Sequence, residues 1–189
     1  MKYTLVYAPE GSIPDSWDAD CFDERDYLSD DVDTSNIISA YTAAIRDADS
    51  SVTVRMFTSV SSERDIMLED FASGELQVLT SMKCLDEGVD VPRSELAIFC
   101  ASTGNPRQFI QRRGRILRKH EDKKYAIIHD LVAVPEVVAG EDCYKMERSL
   151  LAGELRRVRN FALLSMNASA AVKELDSILD YYNLSMFDN

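Results

Sequence analysis

The sequence is poor in the residues that cross-link small proteins or bind metals in them. It has two histidines and four cysteines, which are scattered without any Cys-x-x-Cys pair: Cys21, Cys84, Cys100 and Cys143. We therefore expect no zinc or other metal site. The cysteines could form two disulfides, but no signal peptide precedes them, which favours reduced thiols and a cytoplasmic location. No apolar run reaches the roughly 18–20 residues that cross a bilayer, so no membrane partner is expected.

Positive charge is also scarce, and it is unevenly placed. Acidic residues outnumber Lys and Arg by 33 to 21, which gives a formal net charge of −12. This balance argues against a free-standing nucleic-acid binder, because phosphates need local positive charge. Residues 107–124 nevertheless hold eight Lys or Arg against two acids, whereas residues 1–36 hold ten acids. We interpret residues 10–33 as a solvated acidic loop; the alternative is a segment that repels DNA from one face.

The pattern of apolar residues predicts an α/β fold. Apolar residues make up 46% of the chain, which is enough for a substantial core. Apolar strands alternate with helices along the first two thirds of the chain, which predicts a mostly parallel sheet flanked by helices. The predicted strands are 3–7, 52–58, 76–80, 96–100 and 125–129, and the helices are 34–47, 62–73, 105–118 and a short turn at 82–87. Residues 1–138 form this domain, and residues 139–189 form a helical extension with helices at 144–166 and 168–182.

Local signals refine these elements. Ser62 is expected to cap the second helix, with Asp65 completing an acidic capping box, and Gly74 is expected to end it. The extension carries an apolar stripe at helical spacing, which we expect to be buried: Leu151, Leu155, Val158 and Ala162. Its charged residues are expected to face solvent: Glu154, Arg156, Arg157 and Arg159.

The arginine-rich helix at 105–118 is the most informative segment. Its spacing places one polar set on a shared face, Gln108, Gln111, Arg115 and Arg118. A second set shares another face and is expected to pack on the sheet: Ile110, Gly114 and Leu117. A glycine inside a helix costs about 1 kcal/mol relative to alanine, which a close approach of neighbouring backbone would justify. Two guanidiniums one turn apart can converge on a phosphate; the alternative is a solvated basic helix.

A second constellation spans residues 78–92. A strand ends at Thr80 and Ser81, and a short turn leads to a tight loop at Gly88-Val89-Asp90. Hydroxyls at strand ends are natural phosphate contacts, and Asp90 could accept a ribose hydroxyl. Hydroxyl pairs of this kind are also common as simple structural caps.

These two segments together resemble motifs V and VI of superfamily-two helicases and translocases. Residues 80–92 resemble motif V and residues 111–118 resemble motif VI, in the right order and with a strand between them. Residues 58–71 and the strand at 3–8 look like the corresponding parts of the second RecA-like domain. The resemblance covers residues 1–135, and it is nearest to the DEAD/DEAH-type group that includes restriction-enzyme motor subunits and repair translocases.

The resemblance implies a role for each matching residue. Arg115 and Arg118 match the two arginines that reach the γ-phosphate of ATP, and Gln111 matches the residue that couples to the partner domain. Gly88, Asp90 and Glu87 fall on the nucleotide side. The remaining matches are with nucleic-acid contacts: Thr80, Ser81, Ser59, Arg64, Ser102, Thr103 and Arg112. Arg112, together with Arg113, is expected to be mainly structural or to contact the backbone.

The parts that bind most of the nucleotide are missing. The P-loop pattern Gly-x-x-x-x-Gly-Lys-Ser/Thr does not occur, and none of the seven glycines precedes a lysine. The Asp86-Glu87 pair lies beyond its strand and is not a magnesium site. We therefore expect ATP and Mg²⁺ to be held mainly by an N-terminal RecA-like domain of the same polypeptide, and the chain to be inactive alone.

Three hypotheses follow. The first is the second motor domain of an ATP-dependent nucleic-acid helicase or translocase, acting on DNA rather than RNA. The second is a degenerate helicase-like scaffold or protein-interaction module without motor activity. The third is an intact small ATPase of unfamiliar type, against which the missing P-loop argues.

Overall fold

The computed structural model describes residues 2–9, 35–59, 61–82, 89–100, 106–135 and 143–186. The chain divides into two compact units, Met1–His129 and Asp130–Asn189. The predicted acidic loop at 10–33 and most of the turn at 82–87 lie outside the described residues, and the domain boundary at residue 138 stays a prediction.

The first unit is built on a parallel sheet. Its strands are β1 (Thr4–Tyr7), β2 (Val54–Met56), β3 (Val78–Ser81), β4 (Leu96–Phe99) and β5 (Ile127–Asp130), whose last residue belongs to the second unit. Its helices are α1 (Ser35–Ala48), α2 (Arg64–Ser73) and α3 (Pro106–Ile116). The strand order is β2-β3-β1-β4-β5, and β1 pairs in parallel with both β3 and β4. The predicted α/β fold with a mostly parallel sheet and flanking helices is confirmed.

The core lies around the central strands. Every residue of β1 and β3 is buried, so neither strand has an alternating exposed face; Thr4, Thr80 and Ser81 are buried along with the apolar residues. Tyr7 stacks on Phe99 of the neighbouring strand, with 5.0 Å between ring centroids. Phe57 and Phe71 are also fully buried.

Helix α2 ends as predicted but begins differently. Gly74 has a φ of 84°, and its N–H donates to the carbonyls of Asp70 and Phe71, so the expected glycine stop is confirmed. The Ser62 cap is wrong: the helix begins at Arg64, and the preceding residue, Glu63, makes no side-chain cap hydrogen bond. The hydroxyl of Ser61 instead accepts from the Thr58 N–H at 3.1 Å, and this turn delays the start of the helix.

The second unit contains α4 (Tyr144–Ala162), α5 (Ala168–Lys173) and α6 (Asp176–Tyr181). The predicted stripe of α4 is buried as expected, and it forms one cluster with Leu179, Tyr182 and Met186. The single helix expected at 168–182 is two short helices. Leu175 N–H donates to the Val172 carbonyl, and Ile178 N–H to the Leu175 carbonyl; these tighter i→i+3 bonds form the junction.

Two charged residues of α4 are not in solvent, contrary to expectation. Arg157 is 4% exposed, and its guanidinium contacts the carboxylates of Asp130 and Glu154 and the Leu131 carbonyl. Burial of a guanidinium is tolerated where carboxylates and carbonyls accept its hydrogen bonds. Asp130 and Leu131 are distant in sequence from Arg157, whereas Glu154 lies on the same helix. The Glu154 side chain is correspondingly only 12% exposed.

Candidate nucleotide and nucleic-acid site

Helix α3 turns a mixed face, not its apolar stripe, toward the sheet. Phe109, Arg112 and Ile116 are buried, at 5%, 2% and 0% exposure. Arg112 donates to the Met82 carbonyl at 2.8 Å, and its guanidinium lies 4.9 Å from the ring centroid of Tyr7. This stacked, hydrogen-bonded arginine packs as a core residue.

The expectation that Ile110, Gly114 and Leu117 pack on the sheet is therefore wrong. Ile110 and Leu117 are 48% and 56% exposed. Outside α3's own nearby backbone, no heavy atom of the described residues lies within 4 Å of a Cβ built at Gly114, so no close approach explains that glycine. The exposed face of α3 also carries Gln111.

The two predicted phosphate-binding arginines lie beside the segment that carries Asp90. Arg115 is buried and donates to the Val89 carbonyl, while the exposed Arg118 donates to the Asp90 carboxylate. The side chains of Arg118 and Asp90 are 44% and 67% exposed. Such an exposed pair contributes about 0–1 kcal/mol, so it can be exchanged for another partner at little cost.

The segment leading into β4 presents Asp90 to solvent by simple alternation. Val89 and Val91 are buried on either side of it, at 7% and 4% exposure. The fully buried Ser94 then closes a turn by donating its hydroxyl to the Val91 carbonyl at 2.7 Å. Two anchored valines therefore fix the direction of the Asp90 carboxylate.

The predicted nucleic-acid contacts are not brought together on one surface. Thr80 and Ser81 are fully buried, and the Thr80 hydroxyl lies 2.6 Å from that of Thr42 in α1. The Ser81 hydroxyl has no hydrogen-bond partner among the residues that the structure describes. Ser59 is exposed, and Arg64 is half-buried with its guanidinium 4.8 Å from the Phe57 ring centroid. Gly88, Glu87, Ser102 and Thr103 lie outside the described residues, and the roles of all these residues stay predictions.

A cleft lies at the end of edge strand β2, close in sequence to Ser59 and Arg64. It has a volume of about 420 Å³. Its lining combines guanidinium and hydroxyl groups with one carboxylate and two methionines: Arg46, Arg55, Thr58, Ser61, Ser62, Glu63, Met56 and Met67. Arg55 and Glu63 form an ion pair at 3.6 Å. Guanidinium and hydroxyl groups are typical contacts of a nucleic-acid backbone.

Sequence reasoning missed one residue of this region, Lys123. Its ammonium group donates to three main-chain carbonyls, those of Pro92, Ser94 and Ile116. In the sequence Lys123 is one of eight basic residues in a short run, and nothing in the run distinguishes it from its solvated neighbours.

The described residues offer neither a metal-ligand cluster nor a membrane-spanning helix. Within the described ranges there is no cluster of three His, Cys, Asp or Glu side chains that could hold a metal ion. None of the helices described is both long and apolar enough to cross a bilayer.

Comparison with known proteins identifies the domain. Residues 32–120 match the model of the helicase conserved C-terminal domain. These residues are just under half of the chain, and the match confirms the resemblance of its two motifs to the helicase C-terminal domain of superfamily two.

The matching relatives are much longer than this chain. It is 48% identical over 66 residues to the DNA 3'-5' translocase XPB2 of Sulfurisphaera tokodaii, covering 35% of this chain and 15% of that protein. It is 39% identical over 82 residues to Dicer-like protein 2 of Pyricularia oryzae, covering 42% of this chain and 6% of that protein. A solved structure, domain 2 of the DEAD-box helicase Mss116p bound to an RNA duplex, matches 98% of this chain and 68% of its own length at 11% identity and a TM-score of 0.48.

Proposed function

We propose that this chain is the second motor domain of an ATP-dependent DNA helicase or translocase, in which Arg118 is the principal arginine that stabilises the transferring phosphoryl group. The observation that carries the proposal is the exposed Arg118–Asp90 pair on a helicase C-terminal domain. Charge placed at the phosphoryl oxygens of a transition state accounts for the large effect of such arginines.

The two arginines differ in what they must give up to reach a phosphate. Arg118 has only to exchange an exposed carboxylate for a more highly charged phosphate. Arg115 is 9% exposed and must leave the Val89 carbonyl, which would leave a buried acceptor unsatisfied at a cost of about 1–3 kcal/mol. We therefore assign Arg118 the larger catalytic effect, and Arg115 a contribution that requires rearrangement.

The rest of the nucleotide site is assigned to a partner domain. Gln111 lies on the exposed face of α3 and is available to couple to that domain. Asp90, once released by Arg118, is positioned to accept a ribose hydroxyl. ATP and Mg²⁺ would be held mainly by a P-loop domain, because this sequence has no P-loop and the described residues offer no metal site.

DNA is proposed as the nucleic acid. The support is the name of the XPB2 relative, a DNA translocase that shares 48% identity with this chain over the matched residues. The guanidinium groups of Arg46 and Arg55 and the three hydroxyls in the cleft support a backbone contact there; Ser59 and Arg64 do not line it. A restriction or repair pathway stays a prediction from the motif resemblance.

The test is Arg118→Ala in the protein that carries both motor domains. We expect DNA-stimulated ATP hydrolysis to lose about 10³-fold or more in kcat, the effect of removing an arginine finger, while DNA affinity changes little. Lys119→Ala is the matched control, because Lys119 is exposed, directly follows Arg118, and the substitution removes the same charge. Undiminished turnover by Arg118→Ala would show that the arginine is not catalytic.

The second candidate is a protein-interaction module without motor activity. It is favoured by large apolar side chains that the second unit exposes: Met146, Leu150, Leu164 and Met166. Large apolar side chains that lie together in solvent are typical of protein-binding surfaces, and of these four, Met146 and Leu150 lie one helical turn apart on α4. This candidate would be favoured if the unmutated protein had no ATPase activity and if Leu150→Asp abolished its binding of a protein partner.

A further inference from the structure

The ammonium group of Lys123 is saturated by main-chain acceptors. Its Nζ donates to the carbonyls of Pro92 and Ser94 at 3.1 Å each and of Ile116 at 3.0 Å. A lysine ammonium has three N–H donors, so all three are used inside the fold. The side chain is half-buried, and this burial lowers the pKa of Lys123, while the charge of Glu95 acts in the opposite direction.

These three acceptors belong to two different elements. Pro92 and Ser94 lie in the segment that follows Asp90 and leads into β4, whereas Ile116 is the last residue of α3. The last carbonyls of a helix lack intrahelical partners, and a cation beside them is favourable. One side chain thus cross-links the Asp90 segment to the end of the helix that carries Arg115, two residues before Arg118.

Among the described residues, the side chains of Arg115, Arg118 and Lys123 link α3 and the residues just after it to residues 89–94, and the Arg93–Asp122 ion pair adds a weaker link at 3.8 Å. The contacts of Arg115 with the Val89 carbonyl and of Arg118 with Asp90 change when the proposed reaction draws either guanidinium toward a phosphate. The Lys123 contacts involve only main-chain atoms and need not change. Without them, release of the arginines would free the segment to move away from the helix.

We infer that Lys123 is a positioning residue, which fixes the end of α3 against residues 89–94 while Arg118 exchanges Asp90 for a phosphate. This inference rests on the proposed function for its consequence in catalysis, but the cross-link can be tested in the chain itself. The residue acts through Arg118 and Asp90 and does not touch the nucleotide.

The first experiment uses nuclear magnetic resonance on the 189-residue chain. Lys123→Met keeps the apolar stem and removes the donors, and we expect it to shift the backbone amide of Asp90 and the side-chain Nε–H of Arg118. Lys124→Met is the matched control, because it removes the same charge from the exposed neighbouring lysine; it should leave both signals in place. Unchanged signals in Lys123→Met would overturn the inference. If that variant does not fold, Lys123→Gln, which keeps two N–H donors, is measured in the same way.

The second experiment uses the protein that carries both motor domains. Misplacement of a catalytic group by about 1 Å can cost about 10²-fold, so we expect Lys123→Met to lower kcat by about 10- to 100-fold with KM for ATP nearly unchanged. Lys123→Arg keeps the charge but has a planar fork that cannot meet three converging carbonyls, and it should not restore kcat. Full rescue by Lys123→Arg, or a lower melting temperature with normal kcat, would overturn the positioning role.

The two proposals fail in distinguishable ways. If Arg118→Ala keeps full ATPase activity, the catalytic assignment is wrong, whereas the shifts of Asp90 and Arg118 in Lys123→Met still measure the cross-link. If Arg118→Ala is inactive and Lys123→Met is fully active, the arginine assignment stands and the positioning role is wrong.

Discussion

Two glycines at helical positions of this domain meet opposite surroundings. Gly74 ends α2 with a φ of 84°, and a Cβ there would lie 2.7 Å from the hydroxyl oxygen of Tyr3. Gly114 lies inside α3, and a Cβ there meets nothing in the described residues within 4 Å. The first glycine is required by the backbone and its neighbour, whereas the second only weakens its helix.

We expect Gly114→Ala to stabilise the chain by about 1 kcal/mol, the difference in helix propensity between the two residues. The corresponding rise in melting temperature is about 2–4 °C for a chain of this size. Thermal and urea unfolding measure it. Gly74→Ala is the contrasting variant, and should destabilise by about 1–2 kcal/mol because a side chain is strained at that φ. A destabilising Gly114→Ala would mean that something not seen among the described residues contacts this helix face.

At the residue scale, the sequence did not predict which basic side chains turn inward. The motifs singled out α3 and residues 89–94 as the site, which stays a prediction, and the structure places Arg118 in contact with Asp90. They could not show that Arg112, Arg115 and Lys123 turn inward, because each is satisfied by a main-chain carbonyl distant in sequence. In a run of basic residues, no feature of the sequence distinguishes the one whose side chain is buried.

At the scale of elements, the second unit has a buried ionic cluster of Asp130, Arg157 and Glu154. Two carboxylates share one guanidinium there, and the Asp130 side chain is 13% exposed. Burial raises the pKa of Asp130 to about 6; Arg157 lowers it, and the charge of Glu154 raises it further. Within the second unit, the cluster connects Asp130 to α4.

This raised pKa predicts how stability depends on pH. A carboxyl that is harder to ionise in the folded than in the unfolded state stabilises the fold fully below its ordinary pKa of 3.8, and this contribution is lost as the pH rises through about 6. We expect Glu154→Gln to lower the Asp130 pKa and to flatten this loss. Thermal unfolding between about pH 4 and pH 7 and carboxyl NMR titration measure both effects. An Asp130 that titrates at its ordinary pKa in the folded chain would contradict the prediction.

The positions of the helices and strands were largely predictable from the sequence, but the side of α3 that packs on the sheet was not. The apolar segments predicted every strand of the described sheet within two residues at each end. The inward face of α3 was predicted wrongly, because Ile110 and Leu117 look like a core stripe and Arg112 does not. Arg112 displaces them by stacking on Tyr7, a contact between α3 and β1 that sequence periodicity cannot express.

At the scale of the whole molecule, the chain spans 15% or less of the two relatives described above. Because a P-loop is missing from its sequence, we expect the purified chain to release no phosphate from Mg-ATP above background, with or without DNA. A sensitive phosphate-release assay measures this. Turnover that scales with the concentration of this chain and disappears in Arg118→Ala would instead support an intact small ATPase.

The inward-facing cations also limit the salt dependence of the proposed contact with DNA. There are eight basic residues between 107 and 124. Arg112 and Arg115 are buried, and the Lys123 ammonium donates hydrogen bonds to three main-chain carbonyls. Only groups in solvent displace the counter-ions condensed on a duplex, and each phosphate neutralised adds about 0.9 to the salt exponent of binding. This helix region can therefore contribute an exponent of at most about 4 to 5, far less than a count of its basic residues implies.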